Sequence, residues 1–390
     1  MNSRRTAAFI LARWLATHDF PDALLPQTGP DRAFVQDLVY TAIRRFRPLR
    51  AVLGDFLKTW PKGELEALVL VGAAQILYMP DVPDFAAVNE TVAAAKTSGR
   101  GKRLDRVVNG VLRNLLRRRA EIEARLASAP LGERESFPEA LVKRWCARYG
   151  EEGAAALARW HNEPAETWLA FRDGRFERLP RGQKVSETEG FADGAFVVQD
   201  PATAGAVALM DVQKGLSVLD FCAAPGGKTA QLAWRLDGTG RLVAQEVNPK
   251  RLARLKENLA RLHLTQAVEA VQTCPADGRL FDRVLVDAPC SNTCVLRRRP
   301  DARWRWTAER LAQLVALQAE VLDAAAAFTA PGGRLVYSTC SNEPEENEEQ
   351  IRAFCARHPA FTVAESRQSV PIETGHDGAY ACALIRSAAL

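Results

Sequence analysis

The sequence LDFCAAPGGKT, residues 219–229, reads as a strand, a tight glycine turn and the start of a helix. Leu216, Val218, Leu219 and Phe221 form a short apolar run that ends at Asp220 and Cys222, and a helical pattern begins at Lys228. Gly226 and Gly227 can adopt positive φ and admit a ligand close to the backbone, while the first turn of the helix offers unpaired N–H groups to a polar ligand. A nucleotide-like ligand is the first expectation. A phosphate-binding loop would need glycine where this chain has Cys222, and the three-glycine dinucleotide fingerprint is also missing. The glycines alone are equally consistent with a bare strand-to-helix turn.

The surrounding chain decides between these readings. From Pro201 onward, strand-like and helical stretches alternate, which predicts a mostly parallel sheet covered on both faces. The strand RLVAQ (241–245) is followed by Glu246, 20 residues after Gly226, where a carboxylate can accept hydrogen bonds from a ribose. Leu252, Leu255, Leu259 and Leu262 have the spacing of a helix packed on the core. FDRVLVDAPCSNTC (281–294) is a buried strand leading to Asp287, Pro289 and Cys290, and GGRLVYSTCSNEPEENEEQI (332–351) is another, leading to Thr339 and Cys340. Pro344, Glu345 and Glu346 fit the first turn of a helix. Four strands thus deliver polar or reactive residues at their carboxyl ends, the edge at which open parallel sheets bind ligands.

The chain of 390 residues has room for two domains with their own cores. Its start, MNSRRTAAFILARWLATHDF, has an apolar run too short and too interrupted by Arg13 for a signal peptide, and no stretch approaches a membrane span, so a cytoplasmic protein is expected. The 8 cysteines lack paired C-x-x-C spacing, which argues against zinc and against a disulfide framework. Charge is unevenly placed. Residues 1–150 hold 24 Lys and Arg against 16 Asp and Glu, and residues 151–390 hold 28 against 31. The first third is helical almost throughout, and Arg103, Arg106, Arg113, Arg117, Arg118 and Arg119 on its last helix suggest a face for phosphates.

ALVLVGAAQILYMPDVPDFAAVNETVAAAK (67–96) and VVNGVLRNLLRR (107–118) resemble the NusB-like RNA-binding domain. LDFCAAPGGKT, DAPCS and YSTCS in that order, with EEN after the last, resemble the RNA (cytosine-5)-methyltransferases that use S-adenosyl-L-methionine. The fold so implied is α/β, a Rossmann-like class I S-adenosylmethionine-dependent methyltransferase domain behind an all-α NusB-like domain. The expected boundaries are 1–125 for the helical domain, 126–198 for a helical connector and a small β-rich RNA-binding insert, and 199–390 for the catalytic domain. The resemblance assigns Cys222, Ala223, Ala224, Pro225, Gly226, Gly227 and Lys228 to the cofactor loop and Glu246 to the ribose. It makes Asp287 an acid beside cofactor and base, Cys340 the nucleophile and Cys290 the second cysteine, which assists product release. Asp277 is the candidate for the acid that contacts adenine, in a contracted loop. The substrate implied is RNA, 16S rRNA or an early small-subunit assembly intermediate, acted on by a monomer.

Two thiols suit this chemistry. Carbon 5 of cytosine is a poor nucleophile until a thiolate adds to carbon 6 and makes the ring an enamine, and the added sulfur must later be expelled. The base must also leave its stack to be reached. VLRRRPDARWRW (295–306) offers cations and indoles to hold such a strand. Asn292, Cys294 and Arg299 depart from the residues usual in the family, which implies a stiffer loop around the base and a different target. Two other readings remain open at this point, the same chemistry on tRNA or another rRNA site, and a binding-only assembly factor.

Overall fold

In the computed structural model the described residues are 2–388, apart from 19–20, 27–28, 30, 98–103 and 275–276. Arg103 and the breaker expected at Ser98 to Gly101 therefore lie outside the described residues. Two compact units emerge, one made of Met1–Glu163 with Arg299–Trp306, the other of Pro164–Arg298 with Thr307–Leu390.

The first unit is helical: α1 (Ser3–Thr17), α2 (Arg32–Arg44), α3 (Phe46–Gly54), α4 (Glu64–Tyr78), α5 (Asp84–Lys96), α6 (Leu104–Arg117), α7 (Arg119–Ser128), α8 (Leu131–Arg134) and α9 (Glu139–Trp160). Asn2 caps α1 by accepting from the Arg4 and Arg5 amides. Apolar on every side, α4 is the central helix, and every residue from Ala67 to Ile76 is buried. Its one buried amide, Gln75, donates to the Val71 carbonyl and to Thr91 Oγ1, and accepts from Arg4 Nε. Gly72 lets α6 approach, since a Cβ there would stand 2.6 Å from Leu112 Cδ1. Gly150, with φ +72°, kinks α9.

Residues 299–306, which the sequence offered as a strand-holding surface, are instead built into this helical unit. Arg303 is fully buried, and its guanidinium donates to the Ser136 carbonyl (3.2 Å), Asn162 Oδ1 (3.0 Å) and the His161 carbonyl (3.2 Å). It lies 3.9 Å over the Phe137 ring. Trp304 donates to the Ile43 carbonyl and meets Phe46 edge to face, Trp306 is buried, and Arg299 pairs with Asp22. A guanidinium fork surrounded by carbonyls is a structural pin, not a free cation for phosphate.

The second unit opens with a small antiparallel sheet of β1 (Trp168–Phe171), β2 (Phe176–Arg178) and β3 (Phe196–Val198) in the order β2-β1-β3. There follow α10 (Ala204–Leu209), β4 (Ser217–Asp220), α11 (Gly227–Leu236), β5 (Arg241–Gln245), α12 (Pro249–Arg261), β6 (Glu269–Val271) and β7 (Phe281–Asp287). After α13 (Ala302–Arg305), which belongs to the helical unit, come α14 (Ala308–Ala326), β8 (Thr329–Thr339), α15 (Glu348–Arg357), β9 (Phe361–Ser369), α16 (Pro371–Thr374) and β10 (Ala379–Arg386). Among the described residues the sheet has the order β6-β5-β4-β7-β8-β10-β9, parallel from β6 to β8 and antiparallel at β10 and β9. Leu219, Val243, Val284, Val286, Leu335 and Tyr337 pack on one face, and Val218, Ala244, Leu285 and Val336 on the other. This two-sided burial explains why the central strands read as continuous apolar runs.

Arg303→Ala should destabilise the helical unit by about 3 kcal/mol, because the carbonyls around the guanidinium lose their donor in a site closed to water. Arg303→Lys should recover little of this, since an ammonium cannot reproduce the fork. Urea denaturation followed by circular dichroism measures both; an unchanged midpoint for Arg303→Ala would show that the pin contributes nothing net.

Candidate active site

At the carboxyl end of β4, the loop 221–226 carries a cis Ala224–Pro225 peptide bond and turns into α11 through Gly226, whose φ is +102°. A Cβ at Gly226 would meet Leu255 Cδ1 at 2.7 Å, and one at Gly227 would meet the Gln199 side chain at 3.2 Å. Gly226 is required by its conformation, and a side chain at either position would have to displace its neighbour. The Ala223 amide donates to the Gln245 carbonyl, Arg251 Nη2 donates to the Ala224 carbonyl and Asn258 Nδ2 to that of Pro225, which ties the loop to β5 and α12.

Three acidic side chains border this loop. Asp220 is buried and accepts from Thr229 Oγ1 at 2.7 Å, while its Oδ1 has no hydrogen-bond partner. Burial drives its carboxyl up to about 7, against the Thr229 hydrogen bond. Glu246 follows β5, is 2% exposed, and accepts from the Asn248 amide at 3.0 Å. Its Oε2 lies 3.3 Å from Arg251 Nη1 but accepts no hydrogen bond. Asp287, at the end of β7, accepts from Lys228 Nζ at 2.7 Å and from Ser338 Oγ at 2.8 Å. Burial works against the Lys228 charge, yet Asp287 outweighs it and holds the ammonium above the ordinary lysine value. Cys222 is a thiol here, pushed up to about 12 by burial and then by Asp220 and Asp287. A positive-φ turn at a helix N-terminus, with buried carboxylate oxygens still able to accept, fits a cofactor that brings a ribose diol and an ammonium group.

One strand further along, the two cysteines meet. Cys290 follows β7 and Cys340 follows β8, and their Sγ atoms are 3.3 Å apart. The hydrogen bond with Cys340, reinforced by burial, pushes the Cys290 thiol well above its ordinary value. Asn292 spans the pair: its Nδ2 donates to the Cys290 carbonyl at 2.8 Å, and Cys340 Sγ donates to its Oδ1 at 3.3 Å. The loops behind the cysteines are bound to each other as well. Glu346, wholly buried, accepts from the Ser291 amide (2.8 Å), Gln318 Nε2 (2.9 Å) and the hydroxyls of Ser291 and Ser341. Asn347 accepts from Thr339 Oγ1 at 2.6 Å and donates to the Ser341 carbonyl at 2.8 Å.

The sheet edge thus brings together the loop 222–228, Glu246, Asp287, Cys290 and Cys340. The described bonds of Asp277 run elsewhere: it is exposed and chelates Arg279 through both carboxylate oxygens. Pro344–Glu346 forms a separate 3₁₀ turn, and Asn347 (φ −115°, ψ −107°) breaks the chain before α15 begins at Glu348. Glu346 consequently turns inward rather than lying on a helix surface. The one signal for its role was that each cysteine is followed by a serine. The other departures are engaged within the chain: Cys294 is buried and donates to Asn342 Oδ1 at 2.9 Å, and Arg299 pairs with Asp22.

Residues 207–381 match the family model described as 16S rRNA methyltransferase RsmB/F, and residues 1–117 match that of the NusB family. A ribosomal RNA small subunit methyltransferase B of Vibrio vulnificus is 33% identical, with 100% of both chains covered. That of Vibrio cholerae is 35% identical over 97% of this chain and 96% of its own. Among solved structures, PH0851 superposes with a TM-score of 0.78 at 20% identity, covering 98% of this chain and 99% of that one. NSun6 from Pyrococcus horikoshii, solved with SFG, gives 0.57 at 18% identity, over 65% of this chain and 99% of its own. These two likenesses concern the fold, a helical NusB-type domain followed by a Rossmann-like methyltransferase sheet. The length and identity of the curated matches carry the further step that the chain belongs to the ribosomal RNA small subunit methyltransferase B family, RNA methyltransferases of the 5-methylcytosine type that depend on S-adenosylmethionine.

Proposed function

We propose that the protein methylates carbon 5 of a cytosine in 16S rRNA through a covalent adduct between Cys340 and the base. The observation that carries this reading is the pair of thiols 3.3 Å apart at the ends of adjacent strands, beside the Lys228–Asp287 ion pair. The names of the full-length relatives support the rRNA substrate. The helical domain, residues 1–125 in this reading, binds the RNA, and residues 199–390 perform the chemistry.

Gly226, Gly227, Lys228 and Glu246 would hold the cofactor, which supplies an electrophilic methyl group on a sulfonium centre. The Cys340 thiolate adds to carbon 6 of the flipped base, forming a C–S bond and moving the ring's double-bond pair toward carbon 5 and nitrogen 3. Asp287 relays a proton from the Lys228 ammonium, with which it already shares a hydrogen bond, to nitrogen 3. Carbon 5 is then nucleophilic. Once it carries the methyl group, nitrogen 3 returns its proton through Asp287 to Lys228, the carbon 5 proton passes to a solvent water, the ring double bond re-forms and the S–C bond breaks with its electron pair returning to Cys340. Cys290, held as a thiol, donates a hydrogen bond to that departing sulfur. Asp277 remains a proposal for the adenine contact, reached only if it releases Arg279.

The decisive experiment compares the cysteines. Cys340→Ala should neither methylate nor cross-link, whereas Cys290→Ala should transfer the methyl group and then stall with RNA attached to Cys340. Incubation with cytosine-containing RNA and S-adenosylmethionine, followed by a denaturing gel, distinguishes them; the reverse pattern would exchange the roles. On the cofactor side, Gly226→Val should weaken S-adenosylmethionine binding by at least about tenfold, since a side chain is strained at this φ and meets Leu255. Calorimetric titration of the folded variant measures this, and unchanged affinity would remove the turn from the site. Glu346→Gln should lower kcat by about tenfold or more with little change in KM for RNA, because a neutral amide can no longer accept from all its donors and the cysteine loops lose register. A rise in KM alone would place Glu346 in RNA binding instead.

A further inference from the structure

Asn292 occupies a backbone conformation with φ +62°, one that asparagine tolerates better than most side chains but that glycine adopts without strain. A side chain kept in such a position invites the question of what it touches. Its carboxamide lies between the two cysteines, and its orientation is determined by its neighbours. The Cys290 carbonyl can only accept, so Nδ2 must face it, at 2.8 Å; Oδ1 is thereby directed at Cys340 Sγ, 3.3 Å away. An amide oxygen accepts hydrogen bonds and repels a thiolate. The Asn292 oxygen is thus the acceptor of the Cys340 S–H.

Resting on the reading of Cys340 as nucleophile, we propose that Asn292 is a positioning residue that holds Cys340 as a thiol, its S–H aimed at the carboxamide, until the base displaces that contact. The groups around Cys340 make the balance reversible. Lys228 interacts favourably with a Cys340 thiolate, and its ammonium is retained by Asp287. Cys290 offers its own S–H to the Cys340 sulfur, while Tyr337 and Glu346, both buried, act on Cys290 from behind. With the Asn292 oxygen moved aside, the Cys340 S–H gives its proton to a solvent water, and the lysine cation and thiol donor that remain next to the sulfur stabilise the thiolate left behind. The device spares the free enzyme from presenting a reactive thiolate to solvent, and it makes nucleophile formation depend on occupancy of the base site.

Alkylation by iodoacetamide across a pH series, read by mass spectrometry on the peptide containing Cys340, tests this without RNA. Asn292→Gly, which suits the backbone, should lower the midpoint by about half to one pH unit and raise the rate below it roughly threefold to tenfold. Asn292→Asp places an anion at the same sulfur and should move the midpoint upward. Opposite shifts support the proposal. No shift in Asn292→Gly, or shifts in the same direction in both variants, would overturn it, since loosening of the loop would expose the thiol in either case. A second arm keeps the two readings apart, by looking in the Cys290→Ala background for an adduct between cytosine-containing RNA and Cys340. Its absence would defeat the nucleophile assignment, whatever the alkylation shifts show.

Discussion

Glu346 is wholly buried and takes hydrogen bonds from residues that directly follow both cysteines, Ser291 and Ser341, and from Gln318 on α14. A carboxylate removed from water costs several kcal/mol unless donors compensate it. Here the carboxylate accepts from uncharged donors, an amide N–H, two hydroxyls and a side-chain amide. Displacing either loop would remove a donor from a buried charge. The two loops are therefore coupled energetically although β7 and β8 end independently, and the 3.3 Å thiol contact inherits its geometry from this coupling. Tyr337 extends the arrangement by donating to the Glu346 carbonyl at 2.8 Å, which fixes the turn that aims the side chain inward.

How far the sequence disclosed this molecule depended on whether a residue's role was local. The strand-turn-helix at 217–236 was legible because glycine spacing and apolar runs are local properties, and so was the delivery of Asp287, Cys290 and Cys340 to one sheet edge. Glu346 was not, because an acid two residues after a proline looks like a helix start in solvent; only the break at Asn347 turns it inward. Likewise the cations and indoles of 297–306 have the composition of a nucleic-acid surface. Composition does not reveal that Arg303 is met by the carbonyl-type oxygens of Arg44, Ser136, Asn162 and His161, or that Arg297 donates to the Pro164 carbonyl and Arg298 to Asp200 and Asp377. Those partners lie far away in sequence, and only the tertiary fold supplies them.

The same distinction applies to the departures from the family pattern. Cys294 is buried, with its sulfur donating to Asn342 and its amide to the Cys340 carbonyl. Arg299 is spent on Asp22 within the helical unit. Asn292 alone among the three has its side chain on the Cys340 sulfur. Hydrogen bonds join the two cysteine loops around these positions, among them Cys294 N–H to the Cys340 carbonyl and Asn342 N–H to Thr293 Oγ1.

A comparable sorting refines the basic character of the helical unit. Arg118 pairs with Glu121, and Arg119 with Glu123 and Asp84, so these two add little net field beyond the helix end. Arg106, Arg113 and Arg117 are exposed, and the latter two donate to the neutral amides of Asn109 and Asn114. A neutral acceptor orients a guanidinium without cancelling its charge. At 3.6 residues per turn, positions 106, 113 and 117 fall on one stripe of α6. Opposite them Val108, Val111, Leu112 and Leu115 are buried against the core, which fixes the stripe outward. The positive potential that favours a polyanion is thus concentrated on a narrower line than a count of arginines implies, and its position is set by the apolar face of the same helix.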